Sequence, residues 1–149
     1  MTISAQVRFR DQPPRRVLFL LSIEPDAQPG WAPGRDTWVG GLIEAAHAVN
    51  VAAELGTSWG ELSLEALLAL DPEVLILREA ESPQAQARME QQLARLPEHP
   101  VWRQVRAIRD QRVHWVPAAP FTIPGPRVMQ AYAATAKAVW GEQTGSDLP

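Results

Sequence analysis

The sequence predicts an α/β fold, a three-layer sandwich in which a small, mainly parallel sheet is flanked by helices. Three observations carry this. Short unbroken apolar runs occur at 17–21 and 74–77, with a third β-rich run at 112–116, and runs of this kind suit strands covered on both faces. Segments with a helical stripe alternate with these runs along the chain, the order that βα units produce. The helical segments open on hydroxyl residues that serve as N-caps.

In chain order, residues 1–14 are polar, end in Pro13-Pro14, and read as a linker or the end of a preceding helix. The folded unit is expected over 15–141, with a tail at 142–149. VLFLL at 17–21 is the first strand. Residues 23–35 hold three prolines and two glycines and are expected as a structured loop. Thr37 caps a helix with Val39, Leu42, Ile43 and Ala46 on its inward stripe. A short edge strand is expected at 49–53. Ser63 then caps a helix that buries Leu64, Leu67 and Leu68 and stops at Asp71-Pro72, because a residue before proline avoids helical geometry. The strand at 74–77 follows. Ser82 with Pro83 opens a helix to about Leu96. Residues 100–107 give a helical turn and 112–116 a strand. Prolines at 117, 120, 124 and 126 stiffen the next loop. A last helix with Val128, Tyr132 and Val139 inward ends at Gly141.

Length and composition fit one domain with its own core: 149 residues, 46% hydrophobic and 21% charged. A net charge of -3 argues against a nucleic-acid partner. Lys137 is the only lysine, which reads as coding bias toward arginine. Without cysteine, disulfides and thiolate metal sites are excluded within these residues. No apolar signal-peptide core and no membrane-spanning run is visible, so the chain as written is expected in the cytoplasm.

The sequence offers no catalytic constellation, and the protein is read as a non-enzyme. His47, His99 and His114 lack metal-ligand spacing and are expected to be structural or exposed. Phosphate loops and nucleophile elbows are absent. The aromatic balance is more informative, with six tryptophans against three phenylalanines and one tyrosine. Trp38, Trp102, Trp115 and Trp140 fall in regular elements and are expected in the core. Trp31, Trp59 and Phe121 fall outside any helical or strand stripe, in loops at or near the carboxyl ends of the strands, where α/β folds bind ligands. Rigid loops with flat side chains suit a ligand face, although a tryptophan plugging the sheet end is as ready a reading for Trp31 and Trp59. Glu61 and Glu65 flank the Ser63 helix start, where they complement its dipole or offer an acidic contact.

Several segments together carry a resemblance. These are R-V-L-F at 16–19, Gly34 before a helix ending near Asn50, L-S-L-E-A-L-L-A-L-D-P-E-V-L-I-L at 62–77, A-I-R-D-Q-R-V-H-W-V at 107–116, and Pro126-Arg127. In this order and spacing the chain resembles the C-terminal lobe of the class III substrate-binding proteins, which serve ABC importers of cobalamin, siderophores and haem. The resemblance implies a single solute-binding lobe and an ABC permease with its ATPase subunits as partners. It puts Trp31, Trp59 and Phe121 on the face that holds a tetrapyrrole-like ligand, cobalamin first. No resident cofactor is implied, since the tetrapyrrole would be cargo. Thr122 and Ile123 depart from the cobalamin binders' polar pattern, which keeps haem and ferric siderophores as alternatives. Glu65 matches the glutamate with which the C-lobe docks on its permease. Residues 1–14 match the end of the interlobe helix.

A lone lobe supplies part of the contacts and leaves an apolar cleft wall exposed. Three readings follow. The chain is the C-lobe of a complete envelope or periplasmic binding protein; or a natural half-length protein that pairs through the cleft face with itself, as a homodimer, or with a separate N-lobe; or a cytoplasmic interaction module that has lost transport.

Overall fold

The computed structural model describes Phe9 and residues 11–56, 58–118 and 127–141. Its central sheet has four parallel strands: β1 (Arg15–Leu20), β5 (Ala48–Asn50), β7 (Val74–Arg78) and β8 (Val113–Val116), in the order β5-β1-β7-β8. Two antiparallel ribbons attach to it. One pairs β2 (Ile23–Glu24) with β3 (Gln28–Pro29), the other β4 (Trp31–Pro33) with β6 (Trp59–Glu61). The helices are α1 (Trp38–Ala45), α2 (Leu64–Leu70), α3 (Pro83–Arg95), α4 (Arg106–Arg109) and α5 (Val128–Trp140).

Strand alternation sorts the core into two layers. Val17 and Phe19 of β1, with Val74 and Ile76 of β7, pack on Val39, Leu42 and Ile43 of α1 and on Val139 and Trp140 of α5. Leu18 and Leu20, with Leu75 and Leu77, face the other side, toward Leu67 and Leu70 of α2 and toward Leu96, Trp102 and Val105. All eight residues of the β1–β7 pair are fully buried. Each such side chain contributes about 1.5–3 kcal/mol of transfer free energy, which makes this pair the energetic centre of the molecule. The α/β three-layer fold expected from sequence is therefore the observed one.

The helix starts follow the predicted caps. Thr37 Oγ1 accepts from the Gly40 amide at 3.0 Å, Ser63 Oγ from Ala66 at 3.0 Å, and Ser82 Oγ from Ala85 at 3.1 Å. Asp71 ends α2 in a left-handed conformation, φ 41°. Its carboxylate accepts from the backbone amide and Nε of Arg106, each at 3.0 Å, while Arg106 Nη2 donates to the Asp71 carbonyl at 2.8 Å. The Asp71-Pro72 stop is thus clamped to the start of α4.

Several expectations are corrected. Leu68 is exposed; α2 buries Leu67 and Leu70 and packs Leu64 partly buried against the core. Val128 is exposed, as are its neighbours in the first turn of α5; Val139 is buried and Tyr132 packs at the core margin. The edge strand stops at Asn50, and Val51–Leu55 turn into a 3-10 helix that buries Val51 and Ala52. Residues 23–35 are not merely a loop, since they contain β2, β3 and β4. Trp102 and Trp140 are core residues, whereas Trp38 and Trp115 are half-buried at the core margins.

The two buried indoles also act as fasteners. Trp140 Nε1 donates to the Ala46 carbonyl at 2.7 Å, and its ring stacks on Phe9 with centroids 4.3 Å apart. Arg15 lies over the same ring, 4.7 Å from its centroid. His47 adds to the stack at 5.9 Å and its Nε2 bonds the Gln12 carbonyl at 2.7 Å. In β8, burial pushes the His114 pKa below its ordinary value and the Arg15 charge adds to that. His99 Nδ1 accepts from the Val101 amide at 3.1 Å, closing the turn that carries Trp102.

Two adjacent glycines in α1 give opposite expectations. A Cβ on Gly40 would stand 2.9 Å from Asn50 Nδ2, 2.9 Å from the Gly34 carbonyl and 3.0 Å from Thr37 Oγ1. Gly40→Ala should destabilise by about 1–3 kcal/mol through overpacking. A Cβ on Gly41 meets nothing within 4 Å, so Gly41→Ala should stabilise by about 0.5–1 kcal/mol through helix propensity. Urea unfolding of the two variants reads both signs.

Candidate functional site

The Gly/Pro/Trp segment leaves the carboxyl end of β1 and returns alongside it. The Leu21 amide donates to the Trp31 carbonyl at 3.0 Å, and the Gly30 amide to the Ser22 carbonyl at 3.1 Å. Beyond Gly30 the segment pairs with residues distant in sequence: Trp31 opposes Glu61, Ala32 opposes Gly60, and Pro33 opposes Trp59. The Gly34 amide closes the ribbon on the Ser58 carbonyl at 2.6 Å. Opposed and alternate residues of an antiparallel pair share a face. Trp31, Pro33, Trp59 and Glu61 therefore lie on one side of this ribbon, and Ala32 and Gly60 on the other.

Ala32 is fully buried and sits in the core layer with Leu18 and Leu20; on the opposite face Pro33 is buried as well, while Trp31, Trp59 and Glu61 are exposed. Trp31 is 47% exposed and Trp59 44% exposed. The structure thus brings together two of the three aromatic residues singled out from sequence. It corrects their setting, because both stand on strands of a ribbon rather than in loops. The pairing spans widely separated segments and leaves no local pattern. Phe121, with Thr122 and Ile123, lies outside the described residues.

The ribbon is held from beneath. Asn50 is buried at the end of β5, and its Nδ2 donates to the carbonyls of Pro33 at 3.0 Å and Gly34 at 3.3 Å. Trp102 Nε1 donates to the Ala27 carbonyl at 2.7 Å and fixes the β2–β3 segment, in which Asp26 and Ala27 both have positive φ. Indoles on a ribbon anchored in this way lose little conformational entropy when a ligand covers them.

Glu65 is exposed in the first turn of α2, immediately past the ribbon, and Glu61 stands on the ribbon beside the indoles. The structure places Glu65 at the surface and apart from the tryptophan face, one helix start beyond it.

A cavity of ≈470 Å³ lies beside the β2 segment. It opens where β1 and β7 end, between the β2 segment and α3, and its lining includes Leu21, Ser22, Glu24, Arg78, Arg88 and Met89. In chain order the sheet grows from β1 to β5 on one side and then to β7 on the other, so the strand order reverses between β1 and β7. Crevices that take ligands form at such switch points. Arg78 and Arg88 escaped the sequence reading. The available signal was an arginine closing the apolar run V-L-I-L-R at a strand's carboxyl end.

The profile of a protein family described as periplasmic binding protein matches residues 5–120. No curated protein matches. Among solved structures, the chain is similar to a periplasmic binding protein from Veillonella parvula, with a TM-score of 0.74 and 21% identity over 92% of this chain and 46% of that one. It is similar to the periplasmic heme-binding protein RhuT from Roseiflexus, TM-score 0.66 and 27% identity over 91% and 51%. It is also similar to an ABC-type Fe3+-hydroxamate transport system protein from Saccharomonospora viridis, TM-score 0.67 and 20% identity over 92% and 47%. The chain spans about half the length of these solved relatives.

The close approach at Gly30 tests the ribbon. A Cβ there would stand 2.6 Å from Ser22 Oγ and 2.8 Å from the Ser22 carbonyl; the hydroxyl can swing away but the backbone cannot. Gly30→Ala should destabilise by about 1–3 kcal/mol and speed hydrogen exchange at the Leu21 and Leu62 amides, which bond to Trp31 and Gly30. Exchange at those amides equal to the parent chain's would refute the anchoring role.

Proposed function

The chain belongs to the periplasmic binding protein family, and on that premise we propose that it is the C-terminal lobe of a substrate-binding component of an ABC importer. The reading takes Trp31 and Trp59, with Phe121, as the ligand face, and a flat tetrapyrrole of the cobalamin or haem class as the cargo. One observation carries it: two indoles, each nearly half exposed, lie on the same outward face of an anchored ribbon at the carboxyl end of the sheet. Large exposed aromatics grouped on one rigid face suit a broad apolar partner. The names of the Roseiflexus and Saccharomonospora relatives, one heme-binding and one for a ferric hydroxamate, support cargo of the iron and tetrapyrrole kind. The partners in this reading are the permease and ATPase subunits, and the compartment is the periplasm or cell envelope. Among the described residues no helix is long and apolar enough to cross a membrane.

A flat ligand covering about 100 Å² of each indole would gain about 2–3 kcal/mol per tryptophan. Trp31→Ala and Trp59→Ala should therefore each weaken binding roughly 30- to 150-fold in calorimetric titrations with cobalamin and with haem. Heats and affinities unchanged in both variants would remove the proposed ligand face.

Docking is carried in this reading by Glu65, an exposed carboxylate in a helix's first turn, where it meets arginines of the membrane subunits. Charge reversal in Glu65→Lys should leave ligand titrations intact and abolish co-sedimentation with proteoliposomes that hold the permease. Undiminished co-sedimentation would show that docking uses another surface.

A further inference from the structure

We propose that the seam between α5 and β8 is an acid-sensitive joint, in which a proton taken up by His114 adds a positive charge to a face that already holds Arg15 and Arg112 and loosens the end of α5 from the sheet. The joint lies apart from the ligand face, because Ala32 of the tryptophan ribbon packs in the opposite core layer.

Strand register decides which way His114 faces. It stands beside Ile76 in the β7–β8 pairing, and Ile76 belongs to the layer that α5 covers, as does Val116 two residues on. Its neighbours Val113 and Trp115 pack against the other layer. By alternation the half-buried His114, and Arg112 two residues before it, lie on the α5 side. Arg15 is on the same side of β1 as Val17 and Phe19, and it is already fastened to the helix end. Its Nη1 donates to the Val139 carbonyl at 2.5 Å, and its guanidinium lies over the Trp140 ring.

No acid is placed to answer a charged His114. The titratable side chains of β1, β7, β8 and α5 are Arg15, Arg16, Arg78, His114, Tyr132 and Lys137, without a carboxylate among them. Arg78 stands at the carboxyl end of β7, where it lines the cavity, and Lys137 is exposed in the last turn of α5. Glu73, just before β7, is engaged by the Arg16 amide at 2.8 Å and by Arg106 at 3.7 Å. Among the described residues the His114 imidazole makes no hydrogen bond. Burial holds its pKa below the ordinary value, and the Arg15 charge adds to that. Arg15 is itself lowered by burial and by Arg112, with Glu73 opposing. The unfolded chain therefore takes up this proton before the native one does. Stability from the neutral imidazole is full above the ordinary value of about 6.5 and is lost as pH falls from there through the native value.

The helix α5 is the element that gives way. It buries Ala131, Thr135, Ala136, Ala138, Val139 and Trp140, so beyond Val139 and Trp140 it hides little apolar area. A helix held this lightly opens locally before the β1–β7 pair does.

Hydrogen exchange of the whole chain at about pH 7.5 and about pH 5, with intrinsic rates divided out, tests the joint. Acid should lower protection at the Ala136, Ala138 and Val139 amides at least about threefold more than at Ile76 and Leu77 in the central strand pair. In His114→Gln that difference should vanish. Arg112→Glu keeps the histidine, places an acid two residues away on the same face, and should blunt the response. NMR titration of the His114 ring should give a pKa below about 6.5 in the parent chain and a higher one in Arg112→Glu. His99 accepts a backbone bond and is a second site acid can disturb, so His99→Gln is the control and should keep the α5 response. An α5 that keeps its protection in acid, a response that survives in His114→Gln, or a His114 ring that titrates at or above about 6.5 overturns the joint.

Discussion

The structure depends on one contact, the parallel pairing of β1 with β7. Val17 to Leu20 lie opposite Val74 to Leu77, and every side chain of the eight is sealed from water. Because alternate residues face opposite layers, this pair simultaneously anchors α1 and α5 on one side and α2 with the Trp102 turn on the other. A slip of one residue would exchange the two apolar sets and break both layers together, so the register is strongly determined. The tryptophan ribbon and the cavity both lie at the carboxyl ends of these two strands. The ribbon bearing Trp31 and Trp59 continues from β1, and Arg78 is the last residue of β7. The indoles and the guanidinium therefore inherit a fixed separation from the most rigid part of the molecule.

Polar fastening then converts that rigidity into a defined surface. Asn50, Trp102 and Trp140 each donate from a buried side chain to a backbone carbonyl in a segment that the sheet ladder does not reach: Pro33 and Gly34, Ala27, and Ala46. Each such bond contributes about 0.5–1.5 kcal/mol net, less than a buried leucine. Their effect is to specify position, since a buried donor without its acceptor would be more destabilising than the bond is stabilising. Trp102 and Trp140 combine large apolar area with a directional N–H, which explains why two of the six tryptophans lie in the interior while Trp31 and Trp59 face out.

The legible parts of the fold were those governed by neighbours in sequence. Unbroken apolar runs at β1 and β7, hydroxyl caps at Thr37, Ser63 and Ser82, and the Asp71-Pro72 stop are local signals, and the structure keeps each of them. The errors arose where tertiary pairing decides. Leu68 and Val128 fit a helical stripe but stay exposed in the fold. Trp31 and Trp59 were legible as unusual residues, yet their shared face comes from pairing 31–33 with 59–61, and no local pattern encodes that register. Arg78 was illegible for a different reason. An arginine at the end of an apolar strand is ordinary, and only the cavity and the unpaired Nε separate it from a solvated surface cation.

The division of labour at the carboxyl end of the sheet follows from what each element can carry. A two-stranded ribbon covered on one face by the core presents a flat outer face, which suits stacking but gives little directional recognition. A strand terminus at a switch point forms a concave site, where a charged group is partly shielded and its hydrogen bonds gain strength from the lower local dielectric. Stacking on Trp31 and Trp59 would thus supply most of the contact area, and the cavity lined by Arg78 is the concave element of the same sheet end. Leu21 belongs to both, lining the cavity and donating its amide to the Trp31 carbonyl, so the two regions are tied at one backbone position. A ligand laid on the indoles therefore meets a geometry the β1–β7 pair has already fixed, and little ordering of the protein opposes its binding.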